Sequence, residues 1–134
     1  MAETLNVEVV SAERRVWSGE ATMVTTRTTE GKIGIMPRHE PMLAVLVPGR
    51  VTIHLPDGTQ QHGAVHGGFL GVHGGDVEII AEAAELAHEI DLGRAQEALR
   101  RAEADPDNPS NHAAQARAKA RISAVHNQGL MNRA

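Results

Sequence analysis

Residues 31–48 read Gly-Lys-Ile-Gly-Ile-Met-Pro-Arg-His-Glu-Pro-Met-Leu-Ala-Val-Leu-Val-Pro. Gly31 and Gly34 permit tight turns or close backbone approach, and three prolines forbid a helix. Ile33–Met36 reads as an apolar stretch of loop, which must cover either its own core or a partner. A second block of the same character follows at Val65-His-Gly-Gly-Phe-Leu-Gly-Val72. A third, Ile90-Asp-Leu-Gly-Arg-Ala95, lies at a change of texture in the chain.

That change is compositional. Eleven of thirteen glycines precede residue 76, whereas fifteen of twenty alanines follow residue 80. Upstream, Leu5, Val7 and Val9 alternate with polar residues as a half-buried strand does, and Ala21–Thr28 is rich in threonine and valine. Asp57-Gly58 and Gly74-Gly75 each separate two strand-like runs and predict hairpin turns. Several short strands at this spacing predict a sandwich or barrel over residues 1–88. Downstream, Asp91 is a candidate N-cap for a helix whose stripe is Ala95, Ala98, Leu99 and Ala102. Asp-Pro-Asp-Asn-Pro-Ser-Asn at 105–111 stops it, and Ser110 or Asn111 can cap a second helix to about His126. Ala113, Ala116, Ala120 and Ile122 are the expected buried face of that helix. Alanine buries little area, so at ~25 cal/mol per Å² the hairpin over 89–134 is held loosely and can move.

Charge divides at the same place. Residues 1–88 carry six Lys/Arg against eleven Asp/Glu; residues 89–134 carry seven against six. From Asn111 onward Arg117, Lys119, Arg121 and Arg133 have no acidic counterpart, which points to an acidic partner for the tail. Nucleic acid is disfavoured: one Phe, one Trp and no Tyr leave almost nothing to stack on bases. There is no cysteine, hence no disulfide and no thiolate metal site. The apolar runs Met42–Val47 and Val77–Ala84 are too short to cross a bilayer, and no export leader is visible at Met-Ala-Glu-Thr.

No catalytic constellation is legible. Serines lack a nucleophile-elbow context, and no glycine-rich loop precedes a Lys-Ser or Lys-Thr pair. His62, His66 and His73 fall on strands where i and i+4 share a face but lie ~13 Å apart, so they read as scattered surface histidines rather than metal ligands. The arginines are more informative. Arg94 and Arg101 lie two turns apart on the first helix, and Arg117 and Arg121 are i,i+4 neighbours on the second. A folded hairpin could gather all four with Glu85 and Asp91 at the base, a set of donors suited to a triphosphate. Solvent-exposed arginines pairing with Glu97 and Glu103 are the simpler alternative.

The three blocks, in this order, closely resemble the epsilon subunit of the F-type ATP synthase, from Leu5 to about Ala124. The resemblance implies an N-terminal flattened β-sandwich followed by a C-terminal helical hairpin. It also implies a non-catalytic part of the central stalk, which requires no cofactor and couples proton flow to ATP synthesis. Its partners would be the gamma subunit, the c-ring and, transiently, the alpha/beta catalytic head, on the cytoplasmic face of a bacterial plasma membrane. Lys32, Ile33, Ile35, Met36, Arg38 and His39 fall where family members approach the c-ring. Lys32 stands where an acidic residue is common, and Arg38 replaces the glycine of a Pro-Gly-His triplet. The family hairpin is mobile and inhibits ATP hydrolysis when extended. In some bacterial members it binds ATP when folded, through a motif that Ile90-Asp91-Leu92-Gly93-Arg94-Ala95 matches, with Glu85, Arg101, Arg117 and Arg121 at the remaining ligand positions. A stand-alone ATP sensor and an adaptor for an acidic protein are the alternatives.

Overall fold

Strand alternation upstream and an alanine stripe downstream build two unlike layers in the structure, a computed structural model that describes residues 3–132, with the backbone alone for 131 and 132. Arg133 lies outside the described residues. Ten strands are present among them: β1 Leu5–Ser11, β2 Arg15–Ala21, β3 Met23–Thr28, β4 Gly31–Ile35, β5 Met42–Leu46, β6 Gly49–His54, β7 Gln60–Val65, β8 Gly68–His73, β9 Asp76–Ala81 and β10 Ala84–Leu86. They pair in the order β10-β7-β6-β3-β5-β8-β9-β1-β2, with β4 added to β3, and β10 returns against β2 so that the sandwich nearly closes. All neighbours are antiparallel except β1 and β9, which run parallel.

Period-2 patterning fills the interior. Leu5, Val7, Val9, Val24, Ile53, Leu70, Val77 and Ile79 point inward and are buried, with Trp17 and Met42 packed at the margin. The two turns take the conformations their glycines allow. Gly74 and Gly75 have φ of 56° and 88°, and Gly58 has φ of 88°. Gly68 is a steric necessity, because a Cβ there would sit 2.1 Å from the Ile80 carbonyl oxygen.

Of Ile33–Met36, expected to be loop, the first three residues belong to a strand, β4. It pairs with β3 from Thr28↔Gly31 to Val24↔Ile35 and buries Ile35 completely. Loop begins only at Met36, where Pro37 and Pro41 end the pairing.

Beyond β10 a short 3-10 turn, Ala87–Glu89, leads to α1 (Leu92–Glu103) and α2 (Pro109–Asn132). Asp91 caps α1, its carboxylate accepting the Arg94 amide at 3.0 Å. The second helix differs from expectation at both ends. Its cap is Asn108, whose Oδ1 accepts from the Ser110 amide at 3.1 Å, with Pro109 at the first helical position, and the helix continues six residues past His126. The buried face also differs: Ala118, Ala120 and Ala124 are buried, Ala116 and Ile122 half-buried, and Ala113 exposed. On α1 the stripe is as expected, with Ala95 and Ala102 buried.

Candidate functional site

Where α2 lies on the sheet, apolar contact is thin. A small core of Ala64, Ala87, Ala120 and Ala124, with Ile90 packed against it, separates β7 from the helix. Polar side chains do the rest of the fastening. Arg121 donates through Nε to Glu85 Oε1 at 2.5 Å, and His66 Nε2 meets the same oxygen at 3.1 Å. Arg50 on β6 donates to Ser123 Oγ at 2.8 Å. Gln128 accepts the His62 amide at 2.8 Å and donates to the Gln60 carbonyl at 3.0 Å, extending the β7 edge with a side-chain amide.

His62 and His66 therefore correct the surface-histidine reading: both are buried, on the β7 face that receives α2. Burial chiefly lowers the pKa of His62 to about 4, and the Arg50 and His54 charges act the same way. Its Nδ1 lies 3.0 Å from Thr52 Oγ1, while Nε2 is buried without a partner. His66 is likewise lowered, chiefly by burial, with Glu85 opposing and Arg121 and Arg117 reinforcing. A neutral ring with its proton on Nε2 satisfies Glu85 and leaves Nδ1 without a partner, as found. The legible clue was the i,i+4 spacing of two histidines, one on β7 and one just past its end, which places both on one face.

At the junction, Glu89 folds back to accept the Leu86 amide at 2.9 Å and grips Arg14 at 2.7 and 2.8 Å. The Arg14 hydrogen bond chiefly holds the Glu89 carboxyl below its usual range. This pair, unanticipated from sequence, pins the start of the hairpin to the β1–β2 turn.

The residues expected to bind a triphosphate are engaged in different contacts. Glu85 and Arg121 are in contact, and Arg117 lies close enough to act on His66. Asp91 is engaged as the α1 cap, Ile90 packs in the alanine core, and Arg101 pairs at 3.7 Å with Glu97 of its own helix. Arg94 is exposed. The six expected rotor contacts also divide. Ile35 is interior and supports the hairpin rather than meeting a partner. Lys32 and Ile33 line a cavity facing α2. Met36, Arg38 and His39 form the loop after β4, with Met36 59% exposed and Arg38 held at φ 72°, the glycine-like conformation, while pairing with Glu3 at 2.6 Å.

The opposite face of the sandwich carries a patch missed from sequence. Val45, Phe69 and Ile80 lie side by side across β5, β8 and β9, and Leu43 extends the row. All four are exposed, Leu43 to 76%. Gly71, beside Leu43, leaves a hollow open to solvent. Four large apolar groups on one flat face mark a docking surface.

The fold is a β-sandwich with an apolar outer face, followed by a helical hairpin fastened to it mainly by polar contacts. Comparison with known proteins gives the family. Residues 4–87 match the beta-sandwich domain of the ATP synthase delta/epsilon chain. The ATP synthase epsilon chain of Streptomyces avermitilis is 50% identical over 120 residues, covering 90% of this chain and 97% of that one. That of Rhodococcus opacus is 53% identical over 100 residues, covering 74% and 81%. A chain of the Euglena gracilis mitochondrial ATP synthase shares the fold at a TM-score of 0.71 and 22% identity, covering 95% of this chain and 80% of that one. This chain belongs to the ATP synthase epsilon chain family and is not itself an enzyme.

Proposed function

We propose that the chain is a central-stalk subunit that binds a gamma subunit through the Leu43–Val45–Phe69–Ile80 face and the c-ring through the Met36–His39 loop. Rotor torque then passes through a rigid β body, coupling proton flow to ATP synthesis at the cytoplasmic face of the membrane. The hairpin is the regulatory part: released from β6 and β7, it presents Arg117 and Lys119 to acidic segments of the catalytic head and inhibits ATP hydrolysis. ATP held by Arg94, Arg101, Arg117 and Arg121 would oppose release, but that requires the exposed arginines to turn toward Glu85.

The exposed apolar face carries this reading. Burying those four side chains would contribute several kcal/mol, at about 1.5–3 kcal/mol each, and among the described residues they stand exposed. The test is co-elution with a purified gamma subunit at micromolar concentration. Wild-type chain should form a stable complex, and Leu43→Asp with Phe69→Asp should abolish it while leaving thermal unfolding of the free chain within a few degrees. A complex that survives both substitutions would place the gamma contact elsewhere.

A further inference from the structure

Between the β3–β4 hairpin, the Val47–Gly49 turn and α2 lies a cavity of about 690 Å³. Three cations enter it from the sandwich, Arg27, Lys32 and Arg50, and a fourth, Lys119, from α2. No aspartate or glutamate lines it, and among the described residues none of the four cations makes a salt bridge. Arg27 and Lys32 stand directly opposite each other in the β3–β4 register, on one face of the hairpin. Like charges so placed destabilise a strand pair. Arg50 spends one N–H on Ser123 and retains others. The cavity shares no residue with the Glu85–Arg121 contact or the Asp91 cap.

Four uncompensated cations around one hollow are an unfavourable arrangement without an anion, and guanidinium and ammonium donors together suit phosphoryl oxygens. We infer that this cavity is a second ligand site, which binds a small anion carrying two or more adjacent phosphoryl groups between Arg27, Lys32 and Arg50 on one side and Lys119 on the other. The volume exceeds what linked phosphates alone fill and falls in the range of small-molecule pockets. Ile33, Pro48 and Ala116 supply an apolar wall against which an organic body could rest. Because the donors come from both layers, a bound anion ties α2 to the sandwich. Occupancy and hairpin docking are then linked.

The experiment is calorimetric titration of the full chain with inorganic tripolyphosphate and, separately, with ADP, in wild type, in Lys32→Gln/Lys119→Gln and in Arg94→Gln/Arg101→Gln. Both double variants change exposed side chains, so the fold should survive in each; circular dichroism checks this. The expected result is a binding event for tripolyphosphate that weakens by about tenfold or more when the two lysines are replaced, as expected for loss of two charge-assisted contacts, and that persists when Arg94 and Arg101, which belong to the separate hairpin site proposed above, are replaced. Equal affinities would identify the phosphates as the whole recognition element; tighter ADP binding with the same lysine dependence would assign the apolar wall to an organic body. Absence of heat with both probes at millimolar concentration would overturn the inference. So would binding that ignores the lysines and depends on Arg94 and Arg101.

Discussion

Replacing Glu85 with glutamine should loosen α2 without touching the sandwich. Glu85 Oε1 receives both Arg121 Nε and His66 Nε2, and the Glu85 and Arg121 side chains are 29% and 32% exposed. A hydrogen bond to a charged group contributes about 1.5–3 kcal/mol, and partial solvation moves this pair to the lower end of that range. Glutamine keeps an acceptor oxygen and the same shape but removes the charge, so the loss should be about 1–1.5 kcal/mol, close to a tenfold rise in the undocked population. Native-state hydrogen exchange reads that population directly. Amides in residues 116–128 should exchange about tenfold faster in Glu85→Gln, while β1 and β9 amides keep wild-type protection. Arg121→Gln should produce the same change, and the double variant little more than either alone, because both remove one interaction. Uniform acceleration across helix and strands would refute the argument, since it would mean that the hairpin and sandwich open as one unit. So would unchanged α2 exchange, which would leave the alanine core as the whole fastening.

Acid should weaken the fold through His62. Its folded pKa is about 4 against 6.5 for the ordinary side chain, so between those values the unfolded chain binds a proton that the folded chain does not. Stability is then full above about pH 6.5 and falls toward pH 4, by at most about 1.4 kcal/mol per pH unit and by roughly half that once water at the α2 edge screens the ring. Urea titrations at several pH values should show this slope, and His62→Gln should flatten it. At Arg38, glycine should be accepted without loss. It relieves about 1–2 kcal/mol of left-handed strain against about 0.5–1 kcal/mol of added unfolded-state freedom. The difference of about 0–1.5 kcal/mol is comparable to what the exposed Glu3 pair contributes, so Arg38→Gly should be neutral to slightly stabilising, and Arg38→Lys, which keeps the charge and the strain, should show no gain in denaturant melts.

Strand and helix positions were legible where one periodicity was sustained. The alternation at Leu5–Val9, the two glycine turns and the Asp91 cap were readable because each is a local signal. The failures were non-local. Ile33–Met36 resembled loop because Gly34, with Gly31 just before the stretch, hid an alternation that only pairing with β3 fixes. The phase of α2 was misjudged because alanine-rich helices offer no contrast between faces, so Ala118 and Ala124 could not be separated from Ala113. The Val45–Phe69–Ile80 patch comes from three strands, and its register is invisible until β5, β8 and β9 are aligned. The arginine set shows a different limit: spacing along a helix says which side chains share a face, but not whether local carboxylates, such as Glu97 for Arg101, engage them first.

What separates the two layers is the kind of interaction each relies on. The sandwich interior is Leu, Ile and Val, and removing any one of these to alanine costs about 1–5 kcal/mol by itself. The hairpin rests on methyl groups worth about 0.8 kcal/mol each, and on four polar links worth about 1 kcal/mol each, or somewhat more where charged. Water or an acidic partner can replace those polar links nearly in kind, whereas nothing in water replaces the sandwich core. Undocking breaks weaker contacts than opening the sandwich does and hydrates His62, His66 and Arg50, which relieves part of the burial that lowers both rings while the Arg50 and His54 charges beside His62 remain. Proton uptake and hairpin release are therefore coupled, and each should favour the other as pH falls below 6.5.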